Sequence, residues 1–344
     1  MDKALESRVR RTGQKLFQLM GDEVPPLFHK ESWTVKVLAQ CVKDQGFKTD
    51  FLRFMDVLPS LNQADFVAEH LVDYFGRPQQ HLPMELKLHF TRVSPASLKR
   101  AESVSKELQE MMNRFIAAAA PAEALPVLTG IRNRGMGFSV DLLGEAVVSE
   151  AEADAHAERY LDMMDDLGRA QEDWKPLGDS RNTLDWGIAA KVNFSVKPSS
   201  MYSQMSARAF DHSISKAKER LRPLLRKAMN LGAHICLDME HYDLKNLSLA
   251  LYRSLMEEPE FRGYPHSGTV VQAYLRESET DLRELVSWAK KRRHRATIRL
   301  VKGAYWEAER VYACQRNWPV PFYTDKRETD ANFEKLARLL LENR

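Results

Sequence analysis

From about residue 135 onward, short apolar runs alternate with amphipathic stretches, and this rhythm constrains the fold more than any other feature of the chain. "MGFSVDLL" precedes a helical stretch at about 150–166, and "KVNFSVK" precedes one at about 211–230, which Pro223 is expected to kink or split. "HICLDME" leads into "LKNLSLALYRSL", where Leu247, Ala250, Leu251 and Ser254 recur at helical spacing. "GTVVQAYL" leads into "SETDLRELVSWAKK", which offers a capping box from Ser278 to Asp281 and an apolar face of Leu282, Leu285, Val286 and Ala289. "ATIRLVK" is a fifth run, and a last helix is expected over about 330–342. Alternation of this kind implies parallel strands joined by helical crossovers.

The first 120 or so residues read as helices alone. In "ESWTVKVLAQCVKD", Trp33, Val37 and Cys41 recur every four positions beside Leu38 and Val42, and "ADFVAEHLVDYF" repeats the pattern before Gly76 and Pro78. A longer helix is expected over about 96–120, with "PAEALP" as a linker or corner. The division is therefore a helical arm and linker domain, 1–130, and an α/β domain, 131–344.

At 344 residues two folding units are the default, and 44% hydrophobic with 29% charged residues is an ordinary globular composition. A net charge of +3 does not imply a nucleic-acid partner. Arg8, Arg10, Arg11 and Lys15 read as a solvated helix face, and "AKKRRHR" as cations at a helix C-terminus. Cys41, Cys236 and Cys314 share no metal-like spacing and cannot all pair, which suits a reducing cytoplasm. The charged start excludes a secretory signal, and no apolar run approaches the roughly 20 residues of a spanning helix.

Polar residues cluster where the strands end: Asp141, Lys197, Asp238, Gln272, and Arg299 with Lys302. Doubly wound sheets and (β/α)₈ barrels both place sites there. No G-x-G-x-x-G follows the first strand, so a barrel mouth is the better match, although only five units can be counted before the chain ends. In "IRLVKGAYW", alternation puts Arg299 and Val301 on one face and Leu300 and Lys302 on the other. Arg299 offers a fixed fork of donors for an electron-rich ring or a carboxylate, or it pairs with an acid such as Asp238. Gly303 and Ala304 permit close approach of a ligand, or make a turn. Tyr305 and Trp306 suit stacking on a ring, or a place in the core. Lys197 is a surface lysine or a carboxylate-binding cation. Asp238, Glu240 and Asp243 suit an ion-pair network with Lys197 and Arg299 better than a metal. His234 and His241 read as structural.

"RLVKGAYW", following "FSVK", "CLDME" and "VVQAYL" in that order, resembles the proline dehydrogenase domain of the proline utilization A family. "SVDLLGEAVVSEAEA" is similar to that family's first barrel strand and helix, and the preceding helices to its N-terminal arm. The resemblance implies a helical arm followed by a distorted (β/α)₈ barrel, truncated here after about five units. It implies noncovalent FAD, oxidation of L-proline to Δ1-pyrroline-5-carboxylate, and a quinone as electron acceptor.

Residue by residue, the resemblance places Arg299 near flavin N5 and gives Gln272 a hydrogen bond to the isoalloxazine. Val301, Lys302, Gly303 and Ala304 would line the cofactor with Tyr305 and Trp306 close by, and Met239 would lie against it. Lys197 would bind the substrate carboxylate, and Asp238 would be the active-site acid of the third strand. It also implies a cytoplasmic protein, leaving room for peripheral contact with the membrane's inner face and for a homo-oligomer. Carboxylate-clamping arginines, the remaining strands and an aldehyde dehydrogenase domain are expected beyond residue 344, and no room is expected for a ribbon-helix-helix domain before residue 1. Two other readings stay open: a non-catalytic scaffold or partner-binding module, and a barrel enzyme binding a phosphorylated ligand through Lys302 and Gly303.

Overall fold

The computed structural model describes residues 3–20, 31–61, 63–76, 106, 116–118, 120–144, 146–176 and 189–343. The chain divides into two compact units, Met1–Ala117 and Ala118–Arg344.

The first unit contains α1 (Lys3–Met20), α2 (Glu31–Lys43), α3 (Gln45–Val57) and α4 (Ala64–Phe75). Asp44 starts α3 by accepting the Phe47 N–H at 3.0 Å. Phe47, Phe51 and Phe54 then face Leu71 and Phe75 of α4, and Val37 of α2 joins them. The apolar stripe expected on α2 is narrower than its sequence suggests. Val37 is buried, but Leu38 and Val42, a hundred or so degrees round the helix, are exposed. The helix expected over 96–120 lies largely outside the described residues.

The second unit opens with α5 (Pro121–Asn133), so "PAEALP" is the start of a helix rather than a corner. Pro121 stands in the first helical turn, where its missing N–H costs nothing. β1 (Val140–Asp141) and α6 (Glu150–Ala170) follow, then β2 (Asn193–Val196) and α7 (Phe210–Leu231). Next come β3 (His234–Leu237), α8 (Lys245–Met256), β4 (Ser267–Gln272), α9 (Ser278–Arg292) and β5 (Thr297–Val301). The unit ends with α10 (Trp306–Arg316) and α11 (Lys326–Glu342).

The five strands are parallel and lie in the order β1-β2-β3-β4-β5. A doubly wound sheet needs a reversal in that order; an unbroken succession winds one way and keeps the crossovers on one face, as a (β/α)₈ barrel does. Phe194, Val196, Ile235 and Leu237 form that helix-facing surface and pack with Leu221, Leu224, Leu225, Leu251 and Tyr252. Burying each such side chain is worth about 1.5–3 kcal/mol.

That packing explains two departures from the sequence pattern. Pro223 does not split α7, which runs through it. Leu221, Leu224 and Leu225 are buried on either side of it, and Arg222 and Arg226 pair with Glu258 (2.9 Å) and Glu260 (2.6 Å). The Ser278–Asp281 capping box does not form. Glu277 is the N-cap, the Ser278 hydroxyl donates to the Leu275 carbonyl at 2.8 Å, and Asp281 pairs with Lys245 at 2.7 Å. The final helix starts at Lys326, earlier than expected, because the Asp325 carboxylate accepts the Arg327 N–H at 2.9 Å.

Candidate active site

Register decides which side chains meet. Asp141 pairs with Ser195, Ser195 with Cys236, and Cys236 with Gly268, so these share a level on the face opposite Phe194 and Leu237. One alternation further along, Lys197, Asp238 and Arg299 occupy the same face. Gln272 and Val301 are paired one step beyond.

The polar groups on this face hold one another. Arg299 Nη2 donates to Asp238 Oδ1 at 2.5 Å and to Ser195 Oγ at 3.0 Å. Asp238 Oδ1 also accepts the Met239 N–H at 3.0 Å, and Ser195 Oγ lies 3.3 Å from Asp238 Oδ2. Lys197, whose side chain is only 10% exposed, pairs with Asp141. Tyr160 of α6 braces the arrangement from the helix side: its hydroxyl donates to the Ser195 carbonyl at 2.8 Å. The ion-pair reading of the strand ends therefore holds for Arg299 with Asp238, and Asp141, not among the acids expected to pair there, pairs with Lys197.

Among the described residues, two buried atoms on this part of the sheet have no partner: Arg299 Nε and Gln272 Oε1. The Gln272 amide is otherwise anchored, its Nε2 donating to the Glu240 carbonyl at 3.2 Å. An unmade hydrogen bond on a buried group costs about 1–3 kcal/mol, so such atoms mark a place where a polar ligand is stabilised.

Burial sets the nearby titrations. The Cys236 thiol is pushed up to about 12, burial outweighing the opposing pull of Arg299. The His234 imidazole is lowered to about 4 by burial, with His266 and Arg299 adding to the effect. His241 is raised, chiefly by Glu309. Among the described residues no cluster of His, Cys, Asp or Glu is placed to hold a metal.

The segment after β5 is arranged by side. Met239 is buried. Lys302 points the other way from Arg299, its ammonium 2.5 Å from Asp330 of α11 and about half exposed. Gly303 has φ of +117°, and a Cβ there would come within 2.2 Å of the Tyr274 ring, so the close approach that the glycine permits is taken by Tyr274. Ala304 and Trp306 are exposed, Arg310 lying 5.8 Å over the Trp306 ring, and Tyr305 is half-buried with its ring 4.4 Å from that of His241. Neither aromatic belongs to the core.

Sequence reasoning passed over Ser195 and gave Asp141 no role. Ser195 stands on β2 two residues before Lys197, which follows the strand's end, and that spacing was the signal available.

The model of the family described as "Proline dehydrogenase" matches residues 124–344. The chain belongs to the proline dehydrogenase family. Residues 6–115 match the "Proline utilization A N-terminal domain". Over 241 residues the chain is 30% identical to the bifunctional protein PutA of Klebsiella aerogenes, covering 70% of this chain and 18% of that one. It is 28% identical over 232 residues to a proline dehydrogenase of Deinococcus radiodurans, covering 67% of this chain and 62% of the other. Among solved structures, proline utilization A from Bdellovibrio bacteriovorus, inactivated by N-propargylglycine, is similar with a TM-score of 0.84 and 38% identity, covering 98% of this chain and 33% of that one. The chain thus spans less than a fifth of the Klebsiella relative, and less than two thirds of the Deinococcus one.

Proposed function

We propose that this chain carries part of an FAD-dependent proline dehydrogenase, oxidising L-proline to Δ1-pyrroline-5-carboxylate and passing electrons to a quinone. We further propose that it works as the N-terminal part of a longer bifunctional protein; the share of the Klebsiella relative that it spans supports this. The observation that carries the reading is the pair of partnerless buried atoms, Arg299 Nε and Gln272 Oε1, beside a row of anchored charges. One donor and one acceptor on adjacent strands fit the polar edge of an isoalloxazine.

On this reading Arg299, Gln272, Met239, Val301, Lys302, Gly303, Ala304, Tyr305 and Trp306 form the cofactor side. When bound, FAD supplies the acceptor for the hydride that leaves proline C5. Arg299 holds a fixed positive charge where negative charge accumulates, and its orientation is set before the reaction. Lys197 pairs with the substrate carboxylate, sharing its charge with Asp141. Asp238 keeps Arg299 in place, and the main chain at Gly303 and Ala304 offers its N–H groups. The side chain of Lys302, paired with Asp330, leaves its backbone as the part that lines the cofactor.

The test is an absorbance spectrum of the purified protein with FAD, followed by anaerobic L-proline and, separately, N-propargylglycine. Flavin bands that travel with the protein and bleach with proline are expected, with bleaching lost after treatment with N-propargylglycine. Retained flavin that proline does not bleach would overturn the substrate, and flavin that never binds would overturn the cofactor. No helix among the described residues is long and apolar enough to cross a membrane.

A further inference from the structure

Ser195 touches both members of the Arg299–Asp238 pair, and chemistry fixes the direction of each bond. Arginine has no acceptor, so Arg299 Nη2 donates to Ser195 Oγ (3.0 Å). The single hydroxyl hydrogen is then directed to Asp238 Oδ2 (3.3 Å), while Asp238 Oδ1 takes Arg299 Nη2 (2.5 Å) and the Met239 N–H (3.0 Å). The result is a closed triangle in which both oxygens of Asp238 are occupied.

One terminal nitrogen held by one carboxylate oxygen leaves a guanidinium free to swivel about that contact. A second acceptor on the same nitrogen removes the freedom and fixes the plane. The plane so fixed is the one that leaves Arg299 Nε buried and without a partner. Ser195 is itself 2% exposed, its carbonyl is tied to Tyr160 at 2.8 Å, and its hydroxyl is committed to Arg299 and Asp238. Its cross-strand neighbours at this level are Cys236 and then Gly268.

We propose that Ser195 is a positioning residue, the post that sets the plane of Arg299 and so aims its free Nε–H at a bound flavin. The flavin half of this statement rests on the function proposed above; the orientation of Arg299 does not.

Two variants separate the hydroxyl from the space it fills. Ser195→Ala removes both contacts, and Ser195→Thr keeps the hydroxyl. In the FAD-loaded protein, S195A is expected to lower the limiting rate of flavin reduction by about ten- to a hundred-fold, with little change in KM for proline, and S195T to recover most of it. A readout without cofactor is the Nε–Hε resonance of Arg299 in protein labelled with ¹⁵N-arginine, assigned by its loss in R299K. S195A should shift or broaden that resonance and S195T should preserve it. A folded S195A with unchanged reduction rate and unchanged Arg299 resonance would overturn the proposal, as would S195T as impaired as S195A with wild-type melting in both. If the wild-type protein takes up no flavin, the functional reading fails on its own, the aim at a flavin falls with it, and the resonance comparison alone decides whether Ser195 orients Arg299.

Discussion

Replacing Gly303 with alanine tests the turn that follows β5. The residue has φ of +117°, where a side chain is strained whatever the space around it, at a cost of about 1–3 kcal/mol. The added Cβ would also lie 2.2, 2.5 and 2.6 Å from three atoms of the Tyr274 ring. That ring cannot simply swing away. Tyr274 is 4% exposed, stacked on Phe322 with centroids 5.6 Å apart, and its backbone is tied to Lys302 and to Tyr323, each at 2.8 Å. Overpacking of this kind adds about 1–3 kcal/mol, so Gly303→Ala should cost about 2–6 kcal/mol in total. At the scale of a 150–250-residue unit that lowers Tm by about 4–24 °C. The assay is urea unfolding of G303A, Tyr274→Ala and the double variant, followed by circular dichroism. The clash is a pairwise quantity, so the double variant should be more stable than the sum of the singles predicts, by about 1–3 kcal/mol. Additive singles would refute the steric account, and a G303A protein within about 0.5 kcal/mol of wild type would refute the backbone account as well.

Three further outcomes are expected. Arg299→Met should slow flavin reduction by proline by orders of magnitude in stopped-flow absorbance, and near-normal reduction would remove Arg299 from the site. Lys197→Ala should mainly raise KM for proline in steady-state assays; an unchanged KM would sink its carboxylate role. His234 is held neutral, its folded value about 4 against an ordinary 6.5, so below pH 6.5 the unfolded chain takes up the proton first. Stability is then complete above about pH 6.5 and falls as pH drops toward 4, by about 3 kcal/mol in all, and His234→Asn should flatten that slope in urea midpoints measured across the range.

The strands and their order were legible because parallel strands buried by helices carry strong apolar runs, and "KVNFSVK", "HICLDME" and "ATIRLVK" each became one. Alternation alone separated Arg299 from Lys302, and the two side chains do meet different partners. α10 was missed because its burial is slight: Glu309 and Ala313 are its buried residues, so no apolar stripe marks it. The Ser278–Asp281 pattern misled because both side chains have tertiary partners, Asn332 and Lys245, that outcompete the local cap. Ser195 was invisible for a different reason. A small hydroxyl residue in a strand has no signature of its own, and its role exists only once β2, β3 and β5 are brought side by side.

Cys236 also turns the sheet into its own clock. A thiol that is 3% exposed and held near 12 is almost wholly un-ionised at neutral pH, so an alkylating reagent must wait for β3 to open. Cys314 is exposed on the same chain and reacts without waiting, which supplies an internal reference for reagent strength. The ratio of the two labelling rates, read peptide by peptide, therefore reports how often the middle of the sheet comes apart under native conditions, and any ligand that bridges β3 to β5 should slow the first rate and leave the second alone.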